Sequence, residues 1–283
     1  MNSVYTSARL EEEGSPRVSA DIEPPSARIA SVLPEALRAV WDRLGLLLAV
    51  SITWSGVVSL PLSIERWLPR HTATGLHFLV LAAIPILAAL PTAGAFAIAH
   101  RVATHEEAFY AHLWNDGAAL FGPAVRLILL QTGAVAVLLT ACSFYFRMQL
   151  WIGRAGLTVC GYTLLLWIMM LIYQWPLLIS QEKGVFDEPG RPARRGALAA
   201  VRRSFYLALG RPFFTAGLLG ILLLASALMA ATIVLPALLW IGTMAVVSTY
   251  ASRALLIQFR VLPPPVLEEA VPDLQFRISE RRQ

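Results

Sequence analysis

The sequence predicts an all-α membrane protein, a bundle of six transmembrane helices with amphipathic helices on its cytoplasmic side. Hydrophobic residues make up 57% of the 283 residues and charged residues only 14%, whereas soluble domains have about 45–50% and about 25%. The mean hydropathy is +0.63. A chain of this length has too little interior to hide so much apolar surface from water, so its solvent must be lipid. A soluble enzyme, a soluble nucleic-acid-binding domain and a disordered chain are therefore excluded.

Five long apolar runs define the predicted spans, because a helix needs about 20 apolar residues to cross about 30 Å of hydrocarbon. The first four runs predict spans at about residues 44–64, 76–99, 127–146 and 157–180. The fifth run, from Pro212 to Ser252, contains no Asp, Glu, Lys, Arg or His and is too long for one span. We expect it to form two helices, at about 213–233 and 235–254, that turn near Thr232 to Pro236. A re-entrant hairpin is the alternative.

The ends of the chain differ in composition from this membrane domain, which we place at residues 34–260. Residues 1–33 are rich in Ser, Pro, Glu and Arg and predict a disordered tail. A short interfacial helix at residues 34–43 is expected to lead into the first span. That span is too long for a cleavable signal sequence and is expected to remain as an anchor. Residues 261–283 are expected to form a cytoplasmic C-terminal tail.

The distribution of positive charge predicts the orientation of the bundle. Of the 23 Lys and Arg residues, 19 fall on one side of the predicted spans and 4 on the other. The positive-inside rule then places both termini in the cytoplasm. The net charge of +5 is therefore interpreted as a topology signal. Its expected partners are the lipid bilayer and anionic lipid headgroups, and no nucleic acid.

A basic segment between the fourth and fifth spans is the most distinctive hydrophilic feature. Apolar residues there recur at helical spacing and predict one stripe of an amphipathic helix on the inner leaflet. These residues are Leu198, Val201, Phe205 and Leu209. Its arginines are expected to contact lipid headgroups or a partner, and they are Arg194, Arg195, Arg202 and Arg203. An interfacial connector is the simpler interpretation, and a docking site for a cytoplasmic partner is the alternative.

The connection between the second and third spans predicts another amphipathic element. Its aromatic residues, among them Trp114, are expected to enter the interface as anchors. His105 and His112 lie seven residues apart and would share a helix face, but no metal-binding motif surrounds them, so no metal site is expected. Cys142 and Cys160 lie within apolar runs and are interpreted as small hydrophobic residues.

Uncharged polar groups lie within the predicted spans, whereas Asp, Glu, Lys and Arg are absent from them except for Arg253 at the end of the last one. Proton transfer through a buried carboxylate is therefore disfavoured. The groups of interest are Ser51, Trp54, Gln131, Gln174 and Thr243. We expect them to join helices through hydrogen bonds, and the alternative is that they line a polar cavity. Motifs for nucleotide binding or a serine nucleophile are missing, so neither catalysis nor a cofactor is expected.

Several short motifs resemble those of the YesL-like family of bacterial integral membrane proteins, whose shared region is a domain of unknown function. LeuProThrAlaGlyAlaPheAlaIleAlaHisArg at 90–101 is similar to the signature that closes that family's second helix. SerIleThrTrp at 51–54 resembles a first-helix motif, with Ser51 in place of an asparagine. The aromatic segment 109–121, the TrpProLeuLeu helix end at 175–178 and ArgArgSer at 202–204 are also similar. The resemblance covers about residues 35–260.

This resemblance implies a multi-pass protein of the bacterial plasma membrane, from a family whose mechanism is unsettled and some of whose members are associated with carbohydrate-uptake systems. Together with the absence of catalytic motifs, it leads us to expect a non-enzymatic accessory or interaction component of a solute-uptake system, with a membrane or cytoplasmic protein as its partner. The alternative is a small uniporter or channel whose cavity is lined by the uncharged polar groups of the spans.

Overall fold

The computed structural model describes residues 28–67, 74–148, 150–187, 195–230 and 234–262. Several predictions fall outside these ranges. They are the tail over residues 1–27, the C-terminal tail from residue 263, the turn at residues 231–233 and the contact residue Arg194.

The described ranges form nine α-helices and contain no β-strand, which confirms the all-helical class. Apolar sequences in lipid fold in this way because a helix satisfies its own backbone hydrogen bonds. The helices are α1 (Ile29–Asp42), α2 (Leu44–Trp67), α3 (Thr74–Ala103), α4 (Ala111–Ala119), α5 (Phe121–Arg147), α6 (Trp151–Glu182), α7 (Ala197–Gly210), α8 (Pro212–Ala230) and α9 (Val234–Gln258).

Five helices in the described ranges are long and apolar enough to cross a membrane. They are α2, α3, α5, α6 and α9. Helices α7 and α8 meet at a bend of 103° and satisfy the same criteria only as a pair. The protein is therefore a multi-pass membrane protein with five or six candidate spans.

Helix boundaries differ from the predicted ones in several places. Helix α1 begins at Ile29, and Val32 is buried, so the predicted tail extends too far at its end. Helix α5 begins at Phe121 and α6 at Trp151, each six residues before the predicted span. Hydropathy places a span boundary at the first arginine, whereas the helical hydrogen bonding continues past it. The fifth apolar run divides into α8 and α9, as predicted.

Burial is concentrated at one end of the bundle. Helix α3 is buried without interruption from residue 91 to 100, α6 from 172 to 181 and α9 from 245 to 252. Alanine, serine and threonine are frequent in the segments of α3 and α9, and small side chains let helix backbones approach closely. The first half of α6 is largely exposed. We call the three buried segments, with α1, α4 and α7 packed around them, the packed end.

Polar contacts align the helix termini at the packed end. The Lys183 ammonium lies 3.9 Å from the Glu106 carboxylate, so the ends of α3 and α6 lie side by side. With the Gln258 amide turned so that its oxygen faces Arg211, Arg211 Nε donates a hydrogen bond to that oxygen at 3.1 Å, which joins the start of α8 to the end of α9.

Two glycines set the position of the short helix α4. A Cβ atom at Gly94 would overlap the backbone carbonyl oxygen of Leu113, and one at Gly117 would lie 2.7 Å from the carbonyl oxygen of Leu90. The backbones of α3 and α4 therefore cross in direct contact, with Leu113 fully buried between them. Only glycine permits so close a crossing.

Candidate functional site

A cavity of about 380 Å³ lies inside the bundle, between α2, α3, α5, α6, α8 and α9. The lining residues of the six helices lie at similar distances from the packed end. At 1.5 Å per residue, the lining residues lie about 10 to 25 Å from the helix terminus at the packed end. The cavity therefore lies along the length of the helices rather than beyond their ends.

Apolar and aromatic side chains form most of the cavity wall. Trp54, Trp175 and Trp240 contribute three indole rings from three different helices. The Trp175 ring stacks on Phe96, with 5.7 Å between ring centroids and 16° between their planes. This stacking holds two of the wall residues in fixed positions across the interface between α3 and α6.

The hydroxyl groups in the wall are already occupied as donors. Thr92 Oγ1 donates to the carbonyl oxygen of Ala88 at 2.6 Å, and Ser248 Oγ donates to that of Met244 at 2.6 Å. Ser226 Oγ donates in the same way to the residue one turn earlier, at 2.5 Å. Besides these hydroxyl groups and Trp54, the described lining residues with a side-chain donor are Trp175 and Trp240, each with one indole N–H group.

Trp54 is the one predicted polar-site residue that lines the cavity among those the structure describes. Its Nε1 donates to Thr92 Oγ1 at 2.8 Å, which connects α2 to α3. The indole thus lines the cavity while its N–H group is satisfied by a neighbouring helix.

The other predicted span residues are not among those that line the cavity. Ser51 Oγ accepts a hydrogen bond from the backbone N–H of Gly242 at 3.1 Å, between α2 and α9. Gln131 Nε2 donates to Gln174 Oε1 at 2.7 Å, between α5 and α6. Thr243 is half-buried on α9. The structure therefore does not bring these four groups together in one polar cavity.

A group of charged residues lies at the packed end. Arg101 donates from Nε to the Asp116 carboxylate at 2.9 Å and from Nη1 to Glu106 at 3.4 Å. Glu106 also accepts a hydrogen bond from Thr104 Oγ1 at 2.9 Å and lies near Lys183. These contacts fix the loop after α3 against α4 and the end of α6.

His100 is buried beside this group, on the last turns of α3. Its Nδ1 has no hydrogen-bond partner within the described ranges. Across those ranges, no three His, Cys, Asp or Glu side chains come close enough together to hold a metal ion. His112 has a local role instead, since its Nδ1 accepts a hydrogen bond from the backbone N–H of Phe109 at 3.0 Å.

The predicted basic residues of the α7 region are held in different ways. Arg195 forms an ion pair with Asp187. The Arg203 guanidinium stacks over Phe186, 3.9 Å from the ring centroid. With the Gln181 amide turned so that its oxygen faces Arg203, Arg203 Nη1 also donates to that oxygen at 3.2 Å. Arg202 lies 5.8 Å from the centroid of the Tyr206 ring. Thus two of the three described arginines tie α7 to the segment after α6.

Helix α7 has one packed face and one exposed face. Small residues, namely Ala197, Ala200, Ser204 and Ala208, pack against the bundle with Leu207. Leu198, Phe205, Tyr206 and Leu209 remain exposed, Leu198 to 74%. A helix is present where one was predicted, and three of its four predicted stripe residues lie on the exposed apolar face. On α4, the predicted anchor Trp114 is likewise partly exposed, at 41%.

The Trp-lined cavity was not predicted from the sequence. The available signal was the position of Trp54 and Trp240, which lie inside apolar runs, whereas tryptophans of membrane helices are enriched at the two interfaces. An indole away from the interface indicates a protein contact or a cavity. The sequence could not indicate that Trp54, Trp175 and Trp240 meet, because they belong to three helices far apart along the chain.

Comparison with known proteins adds no relative from which a function could be transferred. No family model, no curated protein and no solved structure matches this chain.

Proposed function

We propose that the chain is a six-span protein of the bacterial plasma membrane, with both termini in the cytoplasm, that acts without catalysis as an accessory or interaction component of a solute-uptake system. Carbohydrate uptake is the class that the YesL-like resemblance implies. The observation that carries the interaction role is the exposure of apolar side chains on two helices, along one face of α7 and at Trp114 of α4. We call these residues the platform: Trp114, Leu198, Phe205, Tyr206 and Leu209.

The way the platform is supported favours a role in contact. Both helices that carry it are fixed by small-residue packing and by ion pairs, namely Arg101 with Asp116 and Arg195 with Asp187. The arginine stacking of Arg203 on Phe186 adds to this support. A rigid helix that presents aromatic and branched apolar side chains has the composition of an interface centre. Its position beside exposed arginines also suits the surface of an anionic inner leaflet.

Site-specific photocrosslinking in native membranes tests the interaction role. A benzophenone amino acid placed at Tyr206 or at Leu209 is expected to capture a subunit of an uptake system, which mass spectrometry would identify. Val137, which is 68% exposed on α5, provides the matched lipid-facing control. Capture of lipid alone at both platform positions, or the same protein products at Val137, would contradict the interaction role and leave α7 as an interfacial connector.

A uniporter or channel is the second candidate function, and the cavity between the six helices is the observation that favours it. Its wall suits an apolar molecule better than a sugar, because three of its hydroxyl groups already donate to backbone carbonyls. Flux of sugars or ions into proteoliposomes tests this alternative. Flux that Gln174→Leu leaves unchanged while Trp240→Ala alters it would assign the conduction path to the cavity rather than to the Gln131–Gln174 contact.

A further inference from the structure

We infer that the Trp-lined cavity binds one hydrocarbon chain of a membrane lipid that enters sideways between α8 and its neighbours. This inference concerns the inner cavity and does not depend on the interaction role proposed above. Three features of the cavity lead to it: the chemistry of its wall, its opening and its depth.

The wall of the cavity favours an apolar occupant. Its three hydroxyl groups, on Thr92, Ser226 and Ser248, donate to the backbone of their own helices, and the Trp54 N–H donates to Thr92. A polar solute would lose its hydration on entering and find few donors in exchange. Water is disfavoured for the same reason, since a buried water needs two to four polar partners and this wall offers few. A hydrocarbon chain makes no hydrogen bonds with water, so it loses none on entering the cavity.

The opening of the cavity lies on the side of α8. Leu222 and Leu223 both line the cavity, yet Leu222 is only 6% exposed whereas Leu223 is 58% exposed. The wall thus passes from the interior to the outer surface within two neighbouring residues. In a membrane protein that outer surface contacts lipid, so the path from the bilayer into the cavity is lateral.

The depth and size of the cavity agree with one chain. The lining lies about 10 to 25 Å from the helix termini at the packed end, which places the cavity beside acyl chains rather than headgroups. Its volume of about 380 Å³ falls near the lower limit of ligand sites, which are about 300–1,000 Å³. Two stacked aromatic rings, Phe96 and Trp175, form a preformed wall, so little ordering is required on binding.

Photolabelling in nanodiscs tests this inference. The full chain is reconstituted in phosphatidylethanolamine and phosphatidylglycerol with increasing amounts of a phospholipid that carries a diazirine in the middle of one acyl chain. Labelling of the cavity residues Met244 and Trp240 is expected to saturate. Labelling of Leu224, which is 64% exposed on the outer face of α8, is expected to rise in proportion to the probe.

Two cavity-filling variants, Ala88→Phe and Ser226→Phe, provide independent tests, and Leu224→Phe is the matched control. In each filled variant that elutes as a folded protein, labelling of Met244 is expected to fall at least five-fold. In Leu224→Phe, labelling of Met244 is expected to stay unchanged. Label at Met244 that rises in proportion to the probe, or that persists in a folded filled variant, would overturn the inference. If both filled variants fail to fold, the concentration dependence in the unmodified chain decides.

Discussion

Gln131 and Gln174 form a hydrogen bond of 2.7 Å between α5 and α6, with the Gln131 amide as donor and the Gln174 oxygen as acceptor. Gln174 is fully buried, and its own Nε2 has no partner in the described part of the chain. Gln131 is therefore the group that compensates Gln174 for burial in an apolar environment. Removing one member of such a pair lowers the free energy of unfolding more than removing both, because the remaining buried group loses its partner.

Replacing Gln131 with Leu is expected to lower the free energy of unfolding by about 1–2 kcal/mol, because the buried Gln174 oxygen loses its donor. The double variant Gln131→Leu/Gln174→Leu is expected to recover most of this loss. Unfolding by SDS in mixed micelles provides the measurement. Thr140→Val is the control, because the Thr140 hydroxyl is exposed and bonds to its own helix. Additive losses in the double variant would show that the two amides act independently.

The crossing of α3 and α4 at Gly94 is expected to tolerate no side chain. Gly94→Ala would force a methyl group against the Leu113 carbonyl and is expected to lower the unfolding free energy by about 1–3 kcal/mol. The matched control is Gly133→Ala on α5, where a Cβ would meet no atom within 4 Å. This change is expected to be neutral or to stabilise by up to about 1 kcal/mol, since alanine is the better helix former.

Thermal unfolding in detergent compares the two alanine variants directly. A lower Tm for Gly94→Ala alone is the expected pattern. Equal Tm values would indicate that α4 moves away from α3 without cost, and the close crossing would then have no energetic role.

The Arg101–Asp116 ion pair provides a third test, of how α4 is held. Both side chains are only 23% exposed, so the charge on Arg101 is partly desolvated and depends on its partner. Asp116→Asn is expected to lower the free energy of unfolding by about 1.5–3 kcal/mol, the range for hydrogen bonds to charged groups. Glu107→Gln removes the same charge from an exposed side chain and is the control. Equal unfolding free energies for the two variants would contradict a supporting role for the pair.

Hydropathy and helical periodicity predicted the helices well because each helix is determined by its own stretch of sequence. The apolar run from Pro212 to Ser252 exceeds the thickness of a bilayer, and its division into α8 and α9 follows from length alone. The spacing of Leu198, Phe205 and Leu209 likewise predicted one face of α7. The small-residue face of α7 was not anticipated, because alanines carry little hydropathic contrast with their neighbours.

The candidate site could not be predicted to the same extent, because it depends on contacts between distant segments. Trp54, Gln131 and Gln174 were all recognised as notable groups within spans. Only the folded arrangement separates Trp54, which lines the cavity, from the glutamine pair, which joins two helices. Periodicity shows which side of a helix a residue occupies but not which neighbour packs there.

Cysteine labelling of the α8–α9 connection tests the number of spans and the orientation together. In a variant whose native Cys142 and Cys160 are replaced by serine, single cysteines are placed at Trp151, Tyr206 or Thr232. If α8 and α9 both cross, a membrane-impermeant maleimide is expected to label positions 151 and 232 in intact spheroplasts and position 206 only after lysis. A re-entrant hairpin would make position 232 behave like position 206. Labelling of position 206 in intact spheroplasts, with position 151 protected, would reverse the orientation inferred from the arginines.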